Sequence, residues 1–78
     1  MKPIYESKYL QLGLKIAYYR KLKGLTQEQL AEAIDRTPAF IGHVEAPNIS
    51  KAISLDTLFD IAAVLDVPPH KFLMFEEE

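Results

Sequence analysis

Residues Leu25–Glu45, "LTQEQLAEAIDRTPAFIGHVE", decide how the rest of the chain is read. Thr26, followed three residues later by Gln29, is the pattern of a capping box, in which each side chain satisfies an orphan backbone N–H at a helix start. The helix it opens sets Leu30, Ala31 and Ile34 on one stripe. Asp35 and Arg36 then make a short turn. Thr37 caps a further helix, with Pro38 at its first position, where a missing N–H costs nothing. Ile41 and Val44 face inward, and Pro47 stops this helix. The stretch therefore predicts two short helices joined by a tight turn.

Toward the amino terminus, a first helix is expected from about Ser7 to Lys23. Tyr9, Leu12, Ile16 and Tyr19 recur at spacings of three and four, which puts them on one face. Gly24 supplies the left-handed residue that commonly ends a helix, and Arg20, Lys21 and Lys23 suit the negative end of its dipole. Leu10, Leu14 and Tyr18 form a second apolar line on nearly the opposite side. Two explanations stay open: "MKPIYE" folds back over this line through Ile4 and Tyr5, or a second chain covers it.

Toward the carboxyl terminus, an irregular loop, "APNISKAI", precedes Ser54, which caps a fourth helix. Leu55, Leu58, Ile61, Ala62 and Leu65 share a face of that helix. "VPP" breaks it, and "PHKFLMF" reads as a last short helix whose Phe72 plugs the core. Met74 and Phe75 are harder to place inward and suit a dimer contact. No alternating Val/Ile/Thr run and no Asn-Gly hairpin signals a strand. The expected fold is all-α, a compact five-helix bundle forming one domain over residues 1–78, with a short arm at 1–6 and an acidic tail at 76–78.

Composition narrows the function classes. A chain of 78 residues has a thin core, and with no cysteine it has neither a disulfide nor a thiolate metal site. The two histidines, His43 and His70, are too few for a structural zinc, which takes four ligands. No metal and no cofactor are expected. No run approaches the ~20 apolar residues of a membrane span, and no leader is visible, so a cytoplasmic protein is expected, of bacterial or phage type. The net charge is −2, but residues 1–36 carry +3 and residues 37–78 carry −5. Such asymmetry fits a basic binding face with an acidic back, and equally an uneven solvated surface. No nucleophile–base arrangement, glycine-rich phosphate loop or paired carboxylates point to catalysis.

Two short helices and a tight turn within a helical domain are the geometry of a helix-turn-helix. Three stretches carry a closer resemblance: "LGLKIAYYRKLKGLTQEQLAEAI", "TPAFIGHVE" and "SLDTLFDIAAVLDVPPHKFL", in that order and spacing. Together they resemble the lambda-repressor-like DNA-binding domain of phage repressors, Cro and the xenobiotic-response-element (XRE) regulators. The resemblance covers Leu12 to Leu73.

The resemblance implies roles residue by residue. Gln27, after the cap of the second helix, matches a phosphate contact, and a helix N-terminus suits an anion. Arg20 and Glu45 match a structural ion pair that fixes the third helix. Thr37, Pro38, Ala39, Gly42 and His43 match the positions that meet DNA, with Phe40 at the margin. Here the chain departs from the family's richer pattern. Direct readout uses donors and acceptors, and Pro38, Ala39 and Gly42 have none on their side chains. They offer apolar contact or close backbone approach, and His43 is the side chain best suited to a base edge. The family's Glu-x-Gly is replaced by Glu45-Ala46-Pro47, leaving Asn48, Ser50 and Lys51 as phosphate contacts in the loop. The resulting expectation is a sequence-specific double-stranded DNA-binding homodimer, a transcriptional repressor or autoregulator. The alternative is a protein-interaction module on the same fold with weak or no DNA binding and a protein partner instead.

Overall fold

Each short helix starts where a side chain can cap it. The computed structural model describes residues 1–75, and the expected acidic tail at 76–78 lies outside the described residues. Four α-helices follow one another: α1 Glu6–Lys23, α2 Gln27–Ala33, α3 Pro38–Glu45 and α4 Leu55–Leu65. At the start of α2, the Thr26 hydroxyl accepts from the Gln29 amide at 3.1 Å, and the Gln29 side chain accepts from the Thr26 amide at 2.8 Å. Thr37 caps α3 through the Phe40 amide, and Ser54 caps α4 through the Thr57 amide, both at 3.1 Å. Left-handed residues close the corners: Gly24 after α1 (φ 82°), Asp35 in the α2–α3 turn (φ 57°) and Asp66 after α4 (φ 56°).

The fifth helix of the sequence reading is a 3-10 turn, Pro69–Leu73, and a second 3-10 turn, Pro3–Tyr5, leads into α1. The reason is local. Pro68 and Pro69 donate no backbone N–H, and no side chain caps the segment, so five residues settle into the tighter winding. The turn still delivers Phe72 to the core, where it is fully buried with Tyr19 edge-on to its ring at 5.2 Å.

The core joins Leu12 and Ile16 of α1, Leu30 and Ala31 of α2, Ile41 and Val44 of α3, and Leu58, Ile61, Ala62 and Leu65 of α4. Leu55 departs from the expected stripe: it lies in the first turn of α4 and is 61% exposed. The second apolar line of α1 is left uncovered, with Leu14 50% and Tyr18 58% exposed, and Ile4 of the amino-terminal turn is itself 76% exposed. The fold-back explanation therefore does not hold. Tyr5 instead lines a shallow apolar groove with Tyr9, Leu12, Ile53 and Phe75.

α3 rests across α1 at an unusually close point. Gly13 is buried, and a Cβ there would run into the Val44 carbonyl. This contact, together with α2 packed beside α3, holds α3 against the core with its outer face exposed.

Candidate nucleic-acid interface

The outer face of α3 is built from a helix start and little else. Thr37, Pro38, Ala39 and His43 are exposed, while Gly42 is half-buried. The Thr37 hydroxyl oxygen accepts the capping bond from the Phe40 amide, which leaves its O–H as a donor. Pro38 at the first position leaves that turn pre-set for the helix. What α3 offers outward is thus an imidazole, a methyl group and backbone, beside the donor end of the helix dipole.

Behind this face sits a polar clamp. Arg20 and Glu45 are both 7% exposed. The guanidinium grips the carboxylate with two parallel bonds, Nε to Oε2 at 2.7 Å and Nη2 to Oε1 at 2.8 Å. Its Nη1 donates to the Leu25 carbonyl at 2.7 Å. A bidentate charge-assisted pair of this kind fixes orientation as well as distance. The bond to Glu45 and its nearby charge raise the Arg20 pKa above the usual arginine value, against the opposing effect of burial. Arg20 therefore remains charged wherever the protein is folded near neutral pH.

Gln27 joins the same clamp. Its Nε2 donates to Glu45 Oε1 at 3.0 Å. One carboxylate thus ties α1, α2 and the end of α3 together, with Gln27 at the first position of α2. A Cβ on Gly42 would lie 3.7 Å from Gln27 Oε1, an ordinary contact. The structure therefore brings Arg20, Gln27, Gly42 and Glu45 into one neighbourhood. Asn48 and Lys51 stand exposed on the loop between α3 and α4.

Two contributors escaped the sequence reading. Gly13 sets how closely α3 approaches α1, and its signal was a glycine inside a helical pattern, which usually has a packing reason. Arg36 belongs to the turn, yet its guanidinium carbon lies 3.6 Å from the centre of the Phe40 ring. Its Nη1 donates to the Thr57 hydroxyl at 3.3 Å. Phe40, unassigned from sequence, is a half-buried platform at the edge of α3 that also lies 6.0 Å from the Lys51 ammonium.

The helix-turn-helix family model matches residues 16–72 of the chain. The restriction-modification controller protein C.AhdI from Aeromonas hydrophila is similar in structure, with 26% identity over 87% of this chain and 96% of that one and a TM-score of 0.79. The master regulator for biofilm formation SinR, solved in complex with DNA, is 34% identical over 80% of this chain and 97% of that chain, with a TM-score of 0.72. A chain of a SinR protein/SinI protein complex is 33% identical over 81% of this chain and 60% of that one, also with a TM-score of 0.72. No curated protein sequence matches the chain.

Proposed function

The chain belongs to the helix-turn-helix family of XRE-type transcription regulators, and from that premise we propose that it binds double-stranded DNA sequence-specifically as a repressor or autoregulator, without catalysis. The carrying observation is the clamp: Arg20, Gln27 and Glu45 hold α3 at a fixed angle with its outer face uncovered. A recognition helix enters the major groove in that presentation. In this reading Gln27, Thr37, Asn48 and Lys51 set the register on phosphates. Pro38, Ala39 and Gly42 contribute close approach and apolar contact, and His43 contributes a polar contact to a base edge. Specificity then leans on DNA shape more than on many bidentate bonds.

A homodimer is part of the proposal, since a helix-turn-helix dimer reads two half-sites about one helical turn apart. The uncovered side chains Leu14, Tyr18 and Leu22 on α1, and Met74 beyond the last turn, supply apolar surface for it. The same surface favours the second reading, a protein-interaction module acting in the cytoplasm through a protein partner. Selection from a random duplex pool at low salt, with winners retested at physiological salt, separates the two. A palindromic motif supports the dimeric reader. No enriched sequence from a protein that is folded by circular dichroism favours the interaction module.

A further inference from the structure

The contacts around Phe40 go beyond what a recognition helix needs for its own stability. Arg36 precedes α3, Lys51 follows it by a loop, and both cations are exposed. Yet both meet the same ring, at 3.6 Å for the Arg36 guanidinium carbon and 6.0 Å for the Lys51 ammonium. Arg36 is further fixed by the hydroxyl of Thr57, a buried residue, and that hydroxyl also accepts from the Ser54 hydroxyl at 3.0 Å. Among the described residues neither cation has a carboxylate within ion-pair distance. Cations around one aromatic ring gain only about 0.5–1 kcal/mol each from its quadrupole at an exposed site. Gathering two of them repels, and an anion relieves that repulsion.

We propose that Arg36, Phe40 and Lys51 form a unit that grips one stretch of the DNA phosphodiester backbone beside α3, with Phe40 as the positioning residue. The inference rests on the DNA-binding reading and adds to it a cation that the sequence pattern did not mark. Arg36 brings a planar fork suited to phosphate oxygens, pre-ordered by stacking, so little side-chain freedom is lost on binding. Lys51 brings a mobile point charge from the loop. Phe40 touches no DNA in this scheme. It sets where the two charges stand.

The test is the salt dependence of binding to a mixed-sequence DNA duplex, which reports phosphate contacts whatever the operator. Each cation engaged with a phosphate contributes about 0.9 to the slope of log K against log salt. Arg36→Gln and Lys51→Gln are each expected to flatten the slope by about that much. Phe40→Leu changes no charge, yet is expected to flatten it too, while melting cooperatively. A Phe40→Leu slope equal to wild type overturns the inference, as do Gln variants with unchanged slopes. If Phe40→Leu fails to fold, Arg36→Lys replaces it: a slope below wild type at equal charge supports the stacked fork, and an equal slope overturns it. Wild-type protein that binds no duplex at low salt defeats the DNA-binding reading and this inference together. Binding that is insensitive to all these changes defeats the inference alone.

Discussion

Gly13 of α1 lies so close to the Val44 carbonyl of α3 that a side chain at position 13 would occupy the oxygen's place. Gly13→Ala should gain up to about 1 kcal/mol of helix propensity. The added methyl must push backbone rather than a flexible side chain, and overpacking typically costs about 1–3 kcal/mol. The net expectation is a lower urea midpoint together with weaker DNA binding, because α3 moves as a unit. A variant as stable as wild type would show that α3 shifts outward without loss.

Breaking the clamp from one side should be costly. Arg20→Met strands the Glu45 carboxylate, leaving Gln27 as its only side-chain donor among the described residues. Removing one partner of a buried pair costs about 3–5 kcal/mol, whereas replacing both with apolar residues is often close to neutral. Denaturant unfolding of Arg20→Met, Glu45→Leu and the double variant should show the double to be more stable than the Arg20→Met single. DNA binding lost with melting unchanged in Arg20→Met would make Arg20 a direct contact instead.

Gly42→Ala should do the reverse of Gly13→Ala. A Cβ there meets nothing nearer than Gln27 Oε1 at 3.7 Å, so the helix can gain its propensity, up to about 1 kcal/mol. If DNA comes close to the bare backbone at Gly42, the same methyl weakens binding. Thermal melting should rise while affinity for the selected duplex falls. A rise in both would remove close approach from the account of Gly42.

His43 stands exposed on the outer face of α3, in its last turn. Its imidazole is the polar side chain this face offers to a base edge, so His43→Ala should weaken binding to the selected duplex by about 1 kcal/mol while melting stays as in wild type. Equal affinity for the two proteins would remove His43 from the interface.

The helix starts were readable because they are decided within four residues. Thr26 with Gln29, Thr37 with Phe40 and Ser54 with Thr57 all make the local bonds their spacing promised. The Arg20–Glu45 pair spans 25 residues and was reached only through family resemblance, as periodicity cannot pair two charges so far apart. Gln27 is marked by the family resemblance, with its helix-start position in support, and its bond to Glu45 depends on where α3 lands, which no local signal carries. The last helix was misjudged because its apolar pattern was weighed above two adjacent prolines, which favoured the tighter winding. Leu55 shares the stripe by period yet is exposed, since at the first position of α4 it reaches the rim of the open groove lined by Tyr5, Tyr9 and Phe75 rather than the closed core.

The division of labour along α3 sets how this protein can change over evolution. Its inward line, Ile41, Val44 and Glu45, is buried and held against two other helices, α1 and α2. Its outward residues Ala39 and His43 are exposed, with no side-chain hydrogen bond among the described residues, and neither supports the fold. Substitutions at the outward positions therefore leave the fold intact, and on the proposed DNA-binding reading duplicated copies of such a gene acquire new operators one substitution at a time while every intermediate still folds.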